Sequence, residues 1–333
     1  RIPQGLIEHI QPGVRVVVPF GNGNRTQTAY VIGLSDRPEI DPDRIKDIIL
    51  IDESGTAIES ELIRLAFWIR EQYGGTINQA LHTVLPVKRK TQAKEKRFLT
   101  LNLTKEEACE RLAVFQNKHQ TARARLLSAL LEQSPVPYEA VTGKLHITAP
   151  VIRALEEQDI LRITTNRTYR NPFPGVSVSK EPVSLNRSQK MIAEQIISNR
   201  RKNDDTPSLI FGVTGSGKTE VYMALIEDAI KEGKQSIVLI PEIALTYQTL
   251  IRFYARFGDR VSVLHSKMSA GERFDQYERA KNGDLDVMIG PRSALFTPFS
   301  NIGYIIIDEE HESSYKSEGV PRYHACEIGR AHV

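Results

Sequence analysis

Apolar residues along the chain fall into three patterns. Over residues 183–333, short unbroken apolar runs at 208–211, 236–240, 260–264, 285–289 and 304–307 alternate with stretches of helical spacing at 187–201, 218–232, 243–258 and 269–282. Runs of that length without polar positions predict strands buried on both faces. Their alternation with helices predicts a parallel sheet covered on both sides, an α/β lobe that binds ligands at the carboxyl ends of its strands.

Before residue 88 the pattern is of another kind. Residues 14–20 and 28–34 read as strands around the turn Gly21-Asn22-Gly23-Asn24, and 62–73 has the spacing of an amphipathic helix. Strands followed by one helix predict a small β-rich, barrel-like (OB-like) module over 1–87. Over 104–170, helical spacing at 119–133 and shorter helices at 138–142 and 149–158 precede strands at 160–165 and 167–170, joined at Asn166. Three helices and a hairpin are in winged-helix order, with Arg162, Arg167 and Arg170 decorating the wing. Such units bind either DNA or protein. A basic linker, 88–103, and a Pro-rich linker, 171–182, separate the three pieces.

Composition narrows this picture only in part. The chain has 333 residues and 40% hydrophobic content, enough for two or three globular cores. No apolar run reaches membrane-spanning length and no signal peptide is visible. Cys109 and Cys326 form no C-x-x-C pair, so neither a disulfide framework nor a metal cluster is expected, and a reducing cytoplasm is the economical compartment. The net charge of +3 does not by itself point to nucleic acid. The region from Pro86 to Arg125, however, carries eleven Lys or Arg against four Glu, which suits either a phosphate backbone or a solvated linker.

Two motifs carry the chemistry. Residues 212–219, Gly212-Val213-Thr214-Gly215-Ser216-Gly217-Lys218-Thr219, fit the phosphate-loop pattern G-x-x-x-x-G-K-[ST] at every fixed position, between an apolar run and a helical stretch. Glycines let backbone N–H groups close around an anion, Lys218 reaches the outer phosphates and the Thr219 hydroxyl takes a place on Mg²⁺. The run 304–307 ends in Asp308-Glu309-Glu310-His311. A strand that delivers Asp308 to its carboxyl end places a second Mg²⁺ partner beside the phosphates, and Glu309 is the candidate base for an attacking water. Without the glycine loop, the same residues would read as a surface acidic cluster.

Residues 212–222 and 308–316 resemble the nucleotide motifs of the PriA family of bacterial replication-restart DNA helicases, also called primosomal protein N′. Segments 239–246, 264–266 and 290–296 resemble that family's intermediate motifs in order. The resemblance implies a RecA-like first helicase lobe over 183–333, a 3′-DNA-end-binding domain over 1–87 and an ATP-dependent 3′-to-5′ helicase that restarts replication at forks. It makes Gln189 the adenine contact, and Gly21 and Lys46 contacts to the terminal nucleotide of a nascent 3′ end. Arg292, Tyr315, Lys316, Arg322 and Tyr323 become contacts to single-stranded DNA, the last four in a ring-and-cation loop, with His311 coupling that loop to the phosphates. It further implies forked DNA, single-stranded DNA-binding protein and primosome proteins as partners of a monomer. The family's zinc belongs to a carboxyl-terminal part, and none is assigned to this chain. Position 1 is Arg, and the family pocket's aromatic-Asp element would precede it, so the end-binding domain is expected to be truncated at its start. With one lobe and no identifiable arginine finger, ATP binding with poor hydrolysis is expected of this segment.

Two other readings compete. A non-enzymatic fork binder and partner scaffold would use the first two pieces. Another phosphate-loop enzyme, a kinase or a different translocase, would use only the third; the acidic box and the ring-rich loop argue against a kinase.

Overall fold

The apolar runs after residue 230 form a four-stranded parallel sheet in the computed structural model, in the order β10-β7-β9-β8: β7 is Gln235–Leu239, β8 Val261–Val263, β9 Val287–Gly290 and β10 Ile302–Ile307. The structure describes residues 1–21, 23–38, 41, 44–53, 57–85, 95–167, 184–202, 204, 206–213 and 215–332. Every residue of β7, β8 and β9 is buried, which explains runs without polar interruption. Alternate side chains enter two different cores. Ile237, Leu239, Met288, Ile305 and Ile307 face one, and Val238, Val287, Ile289, Tyr304 and Ile306 face the other. Helices α8 (Lys218–Lys231) and α9 (Tyr247–Phe257) cover the second face. The helix α10 (Ala270–Lys281) links β8 to β9.

The first face is covered from an unexpected part of the sequence. Helices α1 (Ser60–Tyr73) and α2 (Ile77–Val84) bury Leu62, Ile63, Leu65, Ala66, Ile69, Ala80, Leu81 and Val84 in the same core as the sheet. The Tyr73 hydroxyl bonds the Glu327 carboxylate on α11 (Ala325–His332), Lys281 pairs with Glu59 at 2.7 Å, and the Tyr277 hydroxyl donates to the Ala57 carbonyl. Residues Arg1–Thr91 and Asn171–Val333 therefore make one compact unit, and Gln92–Arg170 a second. A boundary drawn near 87 follows the change of sequence pattern, but packing crosses it, because amphipathic helices bury their stripe wherever an apolar face is available.

The start of the chain adds an antiparallel sheet of order β2-β1-β3, from β1 (Arg15–Phe20), β2 (Arg25–Tyr30) and β3 (Leu50–Ile51). Gly21 at φ 68° and Asn24 at φ 49° close the β1–β2 hairpin.

In the other unit, β4 (Glu95–Leu101), β5 (Val136–Pro137) and β6 (Leu161–Arg167) form an antiparallel sheet of order β5-β4-β6, with α3 (Lys105–Asn117), α4 (Thr121–Glu132), α5 (Tyr138–Gly143) and α6 (Ala149–Glu156). Helices and a small antiparallel sheet are the ingredients of a winged-helix unit, but two sequence expectations are corrected. The strand that pairs with β6 is β4, from within the expected basic linker, with Leu99 opposite Ile163. Strand β6 also runs through Asn166, where a hairpin turn was expected. The Lys-and-Arg-rich composition of 88–97 hid a strand whose apolar contribution is Phe98, Leu99 and Leu101. Residues 168–170, the rest of the expected wing, and the whole 171–182 linker lie outside the described residues.

One more expectation fails. Segment 208–211, expected as a buried strand, forms no strand. Ile210 packs near Val221, Leu225 and Tyr304, whereas Leu209 and Phe211 are 73% and 95% exposed.

Candidate nucleotide site and DNA-facing surfaces

The glycine loop takes a left-handed backbone at two of its glycines. Gly215 and Gly217 both sit at φ 81°, a conformation that costs an L-residue about 1–2 kcal/mol, and Gly217 is the N-cap of α8. A Cβ on Gly217 would lie 2.4 Å from the Gln189 amide nitrogen. The loop thus lies at a helix start, where unsatisfied N–H groups and the helix dipole favour an anion. Lys218 donates to the Gly212 carbonyl at 2.9 Å, and Thr219 follows in the first turn. Thr214 lies outside the described residues.

Helix α7 (Arg187–Arg201) braces this loop. Its N-cap, Asn186, and Gln189 form a reciprocal capping box, the Gln189 Oε1 accepting from the Asn186 N–H at 2.9 Å. The Gln189 Nε2 donates to the Ser216 carbonyl at 3.0 Å. Gln189 is therefore beside the phosphate loop, engaged at both ends of its amide. At the other end of α7, Arg200 holds α8 and β10 together, bonding Asp228 at 2.7 Å, Glu232 at 2.8 Å and the Tyr304 hydroxyl at 2.9 Å.

The acidic box arrives from β10. The Asp308 N–H continues the parallel ladder to the Leu239 carbonyl at 2.9 Å, so β7 fixes the point where the strand ends. Burial raises the Asp308 pKa above the usual carboxylate range; the Tyr222 hydroxyl, 3.2 Å from Oδ1, and the Lys218 ammonium oppose that rise. Glu309 follows at φ 49°, a left-handed conformation uncommon for glutamate, and its Oε1 is 3.9 Å from the Lys218 Nζ. Strained residues of this kind concentrate at functional sites. His311 is exposed, 3.8 Å from the other Glu309 oxygen. Lys218, Asp308 and Glu309, ninety residues apart in the chain, thus meet where the phosphate loop and β10 end. Sequence reasoning missed Tyr222, which stands within its own quoted motif, because a tyrosine in a helical apolar stripe reads as core.

The ring-rich loop is arranged differently from its expectation. Tyr315 is 1% exposed and Tyr323 5%, the latter edge-on to Phe296 with ring centroids 5.5 Å apart. Neither ring face is open for a base to stack on; burying an aromatic ring outweighs exposing it where a core is within reach. The Tyr315 hydroxyl lies 2.5 Å from the Asp308 carbonyl and 3.0 Å from that of Leu239. Arg292 is likewise turned inward on the loop, donating to the carbonyls of Ser314 at 2.8 Å and Lys316 at 2.7 Å. Lys316 and Arg322 are on the surface. In the amino-terminal sheet, Lys46 and Gly21 do come together: the Lys46 ammonium donates to the Gly21 carbonyl at 2.6 Å and to the Asn24 side-chain oxygen at 2.7 Å. Two of its three donors are used in holding the hairpin.

A phosphate loop opening a helix, facing an acidic strand end on a parallel sheet, defines a phosphate-loop lobe of the helicase and nucleotide-hydrolase type. Comparison with known families agrees. Residues 182–328 match the family described as type III restriction enzyme, res subunit, and residues 1–86 match the PriA 3′DNA-binding domain. Similar proteins include the replication restart protein PriA of Bacillus subtilis (strain 168), 30% identical over 98% of this chain and 48% of its own length. Those of Chlamydia pneumoniae (33%, 98% and 44%) and Haemophilus influenzae (33%, 96% and 43%) are similar to the same extent. The chain belongs to the PriA family, and it spans about half the length of these relatives or less.

No helix among the described residues is long and apolar enough to cross a membrane.

Proposed function

We propose that this chain carries the ATP site and the DNA-end contacts of a 3′-to-5′ replication-restart helicase, acting at forked DNA with single-stranded DNA-binding protein and primosome proteins. The observation that supports it most directly is the meeting of Lys218, Asp308 and Glu309 at the mouth of the glycine loop. In this reading the loop amides and Lys218 bind the β- and γ-phosphates, Lys218 exchanging its contact to the Gly212 carbonyl for phosphate oxygens. Glu309 orients the attacking water and takes its proton. Gln189 reads the adenine edge from its place beside the loop.

Mg²⁺ fits the donor set. The Thr219 hydroxyl and one half-buried carboxylate, Asp308, are hard oxygen donors, and Mg²⁺ characteristically takes one or two such groups and completes its shell with phosphate oxygens and water. When bound, it would neutralise charge developing on the phosphates. Among the described residues no group of three or more His, Cys, Asp or Glu is placed to hold a metal by itself. DNA would meet Gly21 and Lys46, whose third ammonium donor is available to a terminal phosphate, and also Lys316 and Arg322. Tyr315, Tyr323 and Arg292 would serve this surface by shaping the loop from within, and His311, 3.8 Å from Glu309, would couple it to the phosphates.

The test is nucleotide binding and turnover, with and without forked DNA. Lys218→Ala is expected to weaken binding of a fluorescent ATP analogue about 100-fold, as loss of two or so charge-assisted bonds implies. Glu309→Gln should bind the analogue like the parent and turn ATP over about 10²–10⁴-fold more slowly. Parent-like binding by Lys218→Ala would end this reading.

A further inference from the structure

Tyr222 follows Lys218 by four residues on α8, so the two side chains share one face of that helix. This face meets two consecutive residues at the end of β10: Lys218 approaches Glu309, and the Tyr222 hydroxyl reaches Asp308 Oδ1 at 3.2 Å. The Tyr222 ring is 7% exposed and belongs to the core with Met223, Ile226, Val238 and Ile306. Burial fixes the ring, so its hydroxyl is delivered to a set position.

Asp308 is held from the other side through its main chain. Its N–H bonds the Leu239 carbonyl, and the Tyr315 hydroxyl lies against both that carbonyl and Asp308's own. The freedom left to Asp308 is rotation of its carboxylate, which accepts from the Tyr222 hydroxyl.

We propose that Tyr222 is a positioning residue of the nucleotide site, its hydroxyl presetting the Asp308 carboxylate for the divalent cation that accompanies the phosphates. The inference rests on the nucleotide reading above. A ligand held in one rotamer binds its cation without losing that freedom at the moment of binding, and outer partners of this sort are worth roughly 10–100-fold in metal affinity. At 3.2 Å the contact is longer than the usual O–H···O range, so the lower figure, about 10-fold, is expected.

The test is Tyr222→Phe, which keeps the ring in its core and removes only the hydroxyl. Mn²⁺ binding in the presence of ADP, followed by electron paramagnetic resonance, should weaken about 10-fold. ADP binding in EDTA should match the parent within about 2-fold, and the Mg²⁺ concentration for half-maximal ATP turnover should rise in step with the Mn²⁺ constant, with excess Mg²⁺ restoring turnover. Unchanged Mn²⁺ affinity would overturn the proposal. So would loss of metal-free ADP binding together with a lowered unfolding temperature, which would make Tyr222 a packing residue. Lys218→Ala separates the two levels: if it binds ADP like the parent, the nucleotide reading falls; if it does not while Tyr222→Phe keeps its Mn²⁺ affinity, only the role of Tyr222 falls.

Discussion

Burial, the largest influence on Asp308, makes its folded form bind a proton more tightly than its unfolded form. The sign of the consequence follows. Ionised Asp308 costs stability at pH values above its raised pKa, and the cost disappears as pH falls through that pKa toward the ordinary carboxylate range near about 4. Asp308→Asn, measured without nucleotide or divalent cation, should therefore melt at a higher temperature than the parent at pH 7, with the gap closing toward pH 4. A variant that melts lower at pH 7 would contradict this. Glu309 at φ 49° is the neighbouring case of a residue kept where folding alone would not keep it. The glycine and acidic motifs make both residues legible in the sequence, because each motif is contiguous. Tyr222 and Tyr315 were not legible as their partners, since a hydroxyl contact to a strand end depends on which helix face packs inward.

Helix α7 shows how one element supports the site from both of its ends. Its first turn holds the phosphate loop through Gln189, and its last turn docks on α8 and β10 through Arg200, whose side chain is 12% exposed. Removing Arg200 leaves the half-buried Asp228 carboxylate with weaker partners. Arg200→Ala is expected to cost about 2–4 kcal/mol in urea unfolding. Arg200→Lys should recover only part of that loss, because an ammonium cannot span three acceptors in a fork. Within this lobe the helix and strand order was readable, since short unbroken apolar runs and a period of 3.6 are distinct there. Segment 208–211 was the exception: an apolar run suggests a strand, but a ladder needs a neighbour. In the second unit, α3 escaped notice behind Glu106, Glu107, Glu110 and Arg111, although its Thr104–Glu107 capping box was a usable signal.

Domain limits followed composition in the sequence and follow packing in the structure. Residues 92–170 have their own core, built on Leu99, Phe115, Leu126, Leu127, Leu130, Ile152 and Leu161. Excised, that unit should unfold cooperatively in urea with native-like helix content. A fragment beginning near residue 171 should not behave in this way. Without α1 and α2 it exposes Leu239, Leu264, Met288, Phe296 and Phe299, and it should bind a hydrophobic dye and aggregate. A soluble, cooperatively unfolding fragment would refute the shared core. The sequence hid this union because the α1 stripe looks the same whichever surface it covers.

That union also sets a timetable for synthesis. A ribosome completes residue 84 long before residue 325, and at about 5–20 residues per second the interval is roughly 10–50 s. Throughout it, the oily side of α1 and α2 has no sheet to cover, while the 92–170 insert can finish folding behind it. A nascent chain in this condition is a natural client for chaperones, and slow translation through the middle of the message would lengthen its exposure.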